Sequence, residues 1–266
     1  MKVILRPSHE RGNADHGWLK TFHTFSFAMY QTAQHESFGC LRVINEDRVE
    51  TGTGFGTHGH REFEIFSYLV DGELEHQDSM GNLEVLKRGD LQMTSAGTGI
   101  RHSEKCHGPN QVHFLQIWSV PSTRGLPPKY FTRHFSDDAK KENWVRVVAP
   151  ADDEGVVEAR EASGPAPVHS PLSLYATILA PGALRTHIFS TQASAGVGRK
   201  GYIHVIQKSG YNPASASGAT VKISGKDGEK ELREGDGAYL LVESGEELKV
   251  ENVSDREAEV LLFDLE

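Results

Sequence analysis

The sequence predicts an all-β chain built as two related antiparallel barrels or jelly rolls, with helix limited to short pieces. Two observations carry this expectation. Short β-rich runs follow one another closely, separated by turn-forming residues. In addition, Val70-Asp71-Gly72-Glu73 followed by Leu86-Lys87-Arg88-Gly89-Asp90 corresponds to Gln207-Lys208-Ser209-Gly210 followed by Leu232-Arg233-Glu234-Gly235-Asp236. The offset is 138 from Gly72 to Gly210 and 146 from Gly89 to Gly235, and a Ser, Ala and Gly-rich loop at 212–218 accounts for the difference.

In chain order, the strand candidates of the first half are residues 41–44, 63–70, 83–86 and 112–120. Asn45-Glu46-Asp47, Val70-Asp71-Gly72, Met80-Gly81-Asn82 and Arg88-Gly89-Asp90 supply the turns. Pro121, Gly125, Pro127 and Pro128 then break regular structure, and Asp137-Asp138-Ala139-Lys140-Lys141 reads as a charged surface run forming a short helix. The domain connection is placed here, giving domains 1–135 and 136–266. Strand rhythm resumes at 145–148, 172–179, 202–206, 220–223, 238–242 and 260–263, while 152–154 and 227–234 read as solvated loops.

At 266 residues the chain suits two domains of ordinary size. Hydrophobic content of 37% and charged content of 24% argue against a disordered chain. With 28 basic and 37 acidic residues the net charge is −9, which argues against a surface for nucleic-acid phosphates. No stretch approaches 18 apolar residues, and the N-terminus turns polar at Arg6-Pro7-Ser8-His9-Glu10 before a signal segment develops. Cys40 and Cys106 read as reduced thiols. A cytoplasmic protein without membrane or direct nucleic-acid contact is expected.

Acidity and histidine are skewed in opposite directions. Residues 1–133 carry 14 basic and 15 acidic side chains, whereas the remaining 133 carry 14 and 22. Ten of the 14 histidines lie in the first 113 residues, which points the chemistry to that half.

The sharpest local pattern is Thr57-His58-Gly59-His60-Arg61-Glu62-Phe63-Glu64. Alternate residues of a strand share a face, so His58 and His60 can converge on one ion, and Glu62 and Glu64 have the same parity. In Gly97-Thr98-Gly99-Ile100-Arg101-His102-Ser103-Glu104, His102 and Glu104 alternate again. Two adjacent strands could thus offer three imidazoles and one carboxylate to iron, copper, nickel, zinc or manganese. The glycine-rich 51–56 segment lacks the Gly-Lys-Ser/Thr ending of a phosphate loop and reads as a loop feeding the His-x-His strand. Cys106 reads as a structural thiol, and His16, His23, His76 and His113 as structural histidines.

Gly52, His58, His60, Glu64 and Gly72, with the Gly89-Asp90 turn and His102, resemble the two motifs of the cupin superfamily. The resemblance extends to the pirin family, particularly bacterial members with quercetin 2,3-dioxygenase activity. It rests on Arg11-Gly12, Asp15-His16-Gly17-Trp18-Leu19, His23-Thr24-Phe25-Ser26-Phe27, residues 75–82 and residues 95–104. It implies an all-β bicupin of two antiparallel jelly-roll barrels, with one divalent metal in the N-terminal barrel. The family's iron ligands, three histidines and a glutamate, carry over onto His58, His60, His102 and Glu104. General cupins would instead take the glutamate at Glu64, here expected to be a neighbour.

Fe(II) is the implied metal, with Mn, Cu, Ni, Co and Zn compatible with the same donors. The implied activity is cleavage of a flavonol-like substrate by O2 with release of carbon monoxide, Glu104 taking the proton. The alternative is an iron-binding regulator of a protein partner, such as a transcription factor. By the offsets above, the second half places Gly196 and Gly198 at the His58 and His60 positions, Leu240 to Leu248 near His102, and Val250 near Glu104. It is expected to be a degenerate, metal-free scaffold or an interaction surface.

Overall fold

The computed structural model describes residues 1–191, 199–226 and 228–266. Two compact units divide the chain. The N-terminal unit comprises Gly12–Phe135 and Ala149–Pro171, and the C-terminal unit comprises Met1–Arg11, Ser136–Val148 and Leu172–Glu266. The expected 135/136 division is one of four crossings, with 11/12, 148/149 and 171/172.

After β1 (Lys2–Arg6), which belongs to the C-terminal unit, come β2 (Gly12–Asp15), β3 (Leu19–His23), β4 (Leu41–Val49), β5 (Gly54–His60) and β6 (Glu64–Asp71). There follow β7 (Glu73–Asp78), β8 (Leu83–Lys87), β9 (Asp90–Ser95), β10 (Ile100–His107), β11 (Val112–Ser119) and β12 (Lys129–His134). They form two antiparallel sheets, ordered β12-β9-β6-β11-β4-β3-β2 and β5-β10-β7-β8. Central strands β6 and β11 are buried almost throughout, so they read as continuous apolar runs. In β10 buried and less buried residues alternate, because that sheet keeps one face in water. Leu19, Val49, Leu69, Leu74, Leu86, Cys106, Val112 and Phe114 pack together as one apolar cluster. Cys106 therefore serves as core, and burial pushes its thiol pKa up.

The C-terminal unit adds α1 (Asp137–Glu142) and most of β13 (Val145–Pro150), whose last two residues lie, with β14 (Ala166–Val168), in the N-terminal unit. The remaining strands are β15 (Leu172–Leu179), β16 (Leu184–Ile188), β17 (Arg199–Val205), β18 (Thr220–Gly225), β19 (Gly228–Arg233), β20 (Gly237–Val242), β21 (Glu247–Asn252) and β22 (Ala258–Leu265). The sheet orders within this unit are β1-β20-β17-β22-β15-β13 and β16-β21-β18-β19. Adding eleven to each number in β9-β6-β11-β4 and β5-β10-β7-β8 reproduces β20-β17-β22-β15 and the second sheet. The duplication is therefore topological as well as sequential. Gly89 and Gly235 share a positive φ (89° and 86°), and the following Asp90 and Asp236 each accept from a backbone N–H, of Lys87 and Arg233, at 2.9 Å.

Two local expectations need correction. Residues 228–233 form strand β19 rather than a loop; their charged side chains face water while Leu232 is buried. The 137–141 run does form a helix, with Ser136 Oγ accepting from Ala139 N–H at 3.2 Å, but Lys140 is fully buried. Its ammonium lies 3.1 Å from Asp137 and 3.5 Å from the buried Glu259, which compensates the burial of a charge.

Candidate metal centre

β5 and β10 pair antiparallel, with His102 opposite His58 and Glu104 opposite Phe55. Two steps along β10 thus face three along β5, a bulge that breaks strict alternation beside the histidines. Gly54 permits the approach: a Cβ there would lie 2.3 Å from the Glu104 carbonyl oxygen.

His58, His60 and His102 converge. Their ring centroids are 4.7 Å (58–60), 4.6 Å (58–102) and 4.9 Å (60–102) apart, and one nitrogen of each lies within 4.8 Å of the others. His58 Nδ1 lies 2.8 Å from the Gly56 carbonyl. A carbonyl can only accept, so that nitrogen carries the proton and Nε2 presents its lone pair, 3.2 Å from His102 Nε2. Burial, then the neighbouring imidazoles His102 and His58, lower the His60 pKa to about 4. Burial, then His58 and His76, lower that of His102 to about 3. Both rings are neutral at neutral pH, the form that ligates a transition metal. The donor set fits such an ion.

Glu104 is buried beside them and held at both oxygens. Ser67 Oγ donates to Oε1 at 3.0 Å and Gln116 Nε2 donates to Oε2 at 2.7 Å. Its carboxylate groups within 4.8 Å with ligand atoms of His102 and His76, a second cluster overlapping the first. Neither Ser67, Gln116 nor His76 was singled out for chemistry from sequence. The signal available for the first two was a polar residue inside an otherwise apolar buried strand.

Glu64 points elsewhere. Glu62 has a φ of +67° in the turn between β5 and β6, so His-x-His parity does not carry through to residue 64. The fully buried Glu64 carboxylate accepts from the backbone N–H of His169 and Ser170 and from the Ser170 hydroxyl, at 2.6–3.1 Å. It fastens the 149–171 segment to its own unit. His23 and His113 behave as the structural histidines expected, bound to Asn45 at 2.9 Å and Glu46 at 3.0 Å.

In the C-terminal unit the register places Leu248 opposite His187, as His102 lies opposite His58. Gly196 and Gly198 lie outside the described residues. Among the described residues, His187 is thus the counterpart of His58, and Phe189 follows two residues on where His60 stands. Leu248, Val250 and Phe189 belong to the apolar core, and the donor clusters of the described residues all lie in the N-terminal unit.

Residues 5–119 match the sequence profile of the Pirin family. Quercetin 2,3-dioxygenase of Escherichia coli strain K12 is 37% identical over 266 residues, covering 99% of this chain and 98% of that protein. Among solved structures, the bacterial pirin YhhW from Escherichia coli in complex with nickel(II) is 35% identical with a TM-score of 0.78, covering 99% of each chain. A quercetin 2,3-dioxygenase from Acinetobacter baumannii, 20% identical with a TM-score of 0.67 over 100% of this chain and 86% of that one, shares the fold. With a relative more than a third identical along its whole length, this bicupin chain belongs to the pirin family.

Proposed function

We propose that this chain is a metal-dependent dioxygenase that opens flavonols such as quercetin with O2 and releases carbon monoxide. The observation that carries the reading is the convergence of His58, His60 and His102, with Glu104 fixed beside them, in a chain whose full-length relatives are named quercetin 2,3-dioxygenases. His58, His60, His102 and Glu104 are assigned as ligands of one divalent transition metal, Fe(II) in the cell. The nickel(II) complex of the related YhhW supports a divalent ion without fixing its identity. When bound, the ion supplies a Lewis acid that favours the ionised form of the flavonol 3-hydroxyl.

The protein's part is proton handling and positioning. Glu104 takes the hydroxyl proton. Ser67 is suited to support this: its one hydroxyl hydrogen can point to Glu104 Oε1 at 3.0 Å or to Gln116 Oε1 at 3.3 Å. In the first orientation it serves the carboxylate. In the second it can accept from the protonated acid while still donating to Gln116. Trp118 lies 4.8 Å from the His60 ring, with Phe63 at 5.2 Å and Phe27 at 5.6 Å from Trp118, an aromatic surface suited to a flat substrate. The substrate and O2 are the small-molecule partners, and the cytoplasm is the proposed compartment. Among the described residues no helix is long and apolar enough to cross a membrane.

The test is aerobic turnover of quercetin by protein reconstituted separately with iron, manganese, nickel, cobalt, copper and zinc. Carbon monoxide release with at least one metal is expected. Its absence with all six overturns the reading.

A further inference from the structure

The two donor clusters share His102 but differ in burial. His58 and His60 are partly exposed, whereas His76, His102 and Glu104 are all buried. His76 itself is 0% exposed.

The proton on His76 can be assigned from its neighbours. Asp78 Oδ1 accepts from the backbone N–H of Met80 and Asn82 at 2.9 and 3.1 Å, and Oδ2 accepts from Asn82 Nδ2 at 2.8 Å. A carboxylate so held can only accept, so His76 Nε2, 3.2 Å from Oδ2, is the N–H. In the neutral ring Nδ1 then presents a lone pair, and that buried atom has no hydrogen-bond partner.

This is the arrangement expected of a metal-ligating histidine, one ring nitrogen donating to a carboxylate and the other free to bind. Tyr130 stacks on the ring at 4.7 Å and 26°, with its hydroxyl donating to Glu84 at 2.8 Å, which fixes the ring plane. The fold does not demand a histidine here. Glu104 lies opposite His76 as Val250 lies opposite Ile223, so the duplicated barrel places an isoleucine at this position.

We propose that His76 is a further metal-binding residue, and that His76, His102 and Glu104 form a second, deeper position for a divalent transition metal. It rests on reading this barrel as a metal centre. Because both positions use His102 and Glu104, one ion occupies one or the other. The deeper position, with the larger share of carboxylate among its donors, favours Mn(II), and the outer position, with three imidazoles, favours Ni(II).

The experiment is anomalous diffraction from metal-free full-length protein loaded with Mn(II) or Ni(II) alone, with affinities measured by chelator competition. Mn(II) is expected within about 2.3 Å of His76 Nδ1, and Ni(II) beside His58 and His60. The variant His76→Ile should weaken Mn(II) binding at least about tenfold and Ni(II) binding less than about twofold, with His58→Ala giving the reverse. An Mn(II) peak confined to the His58–His60 side of the wild-type protein overturns the deeper position while leaving the proposed function intact. Failure of both metals to bind in this barrel overturns both. The wild-type maps decide the matter even if His76→Ile does not fold.

Discussion

The two barrels share a backbone plan and differ in what fills it. In the N-terminal barrel His58 faces His102, His76 faces Glu104, and Ser67 lies between Gln116 and Gln92. At the same register the C-terminal barrel has His187 facing Leu248, Ile223 facing Val250, and Ile203 between Leu262 and Ala238. All but His187 of that second set are members of one apolar core. His187 is turned to structure, 3.5 Å from the Asp264 carboxylate and against Tyr175 and Phe189. Apolar side chains stabilise a barrel simply by leaving water. Polar ones there cost stability unless hydrogen-bonded or ligated. One copy is thus filled for stability, while the other gives some of it up to bring imidazoles and a carboxylate together.

The largest expected effect comes from erasing this difference. The variant His102→Leu/Glu104→Val, with the residues of the C-terminal register, should lose its metal by elemental analysis. Quercetin turnover should fall by at least about 10²-fold, because Lewis acid and proton acceptor go together. The opposite barrel should respond in stability alone. Leu248→Ala should cost about 2–5 kcal/mol in denaturant unfolding, as for other large-to-small core changes, with metal content unchanged.

A subtler change tests whether the polar neighbours act through Glu104. Gln116→Leu removes the 2.7 Å donor to that carboxylate and should weaken metal affinity about 10–100-fold by chelator competition. Unchanged affinity would show the bond to be structural. The smallest effect is on pH. His60 and His102 titrate at about 4 and about 3 in the fold, against 6.5 ordinarily, so the unfolded chain binds protons first as pH falls. Metal-free protein should therefore lose stability steadily from pH 6.5 downward. The single variant His102→Leu, lacking one of these histidines, should lose less. Thermal unfolding across that range measures both slopes.

The comparison also explains what was legible in the sequence. The runs at 63–70, 112–120 and 172–179 announced themselves because central strands are apolar along their length. Strands β7, β19 and β21 were harder to see, since water-facing residues interrupt their apolar pattern. The convergence of His58, His60 and His102 was legible because alternate residues of a strand share a face, and Glu104 follows His102 by the same step. Parity misled at Glu64, where a left-handed residue at position 62 resets the chain direction. The nearness of His76 to His102 and Glu104 exists only once β7 and β10 pair, so no local pattern marks it. The 149–171 segment returns to the N-terminal unit through contacts such as those of Glu64, which no local pattern marks.

The most direct test of the central claim is isotopic. Metal-loaded wild-type protein is turned over with quercetin under 18O2, and carbon monoxide and ring-opened product are quantified together. The account predicts carbon monoxide equimolar with quercetin consumed and both labelled oxygen atoms in the product. Quercetin loss without carbon monoxide, or product without the label, would contradict it.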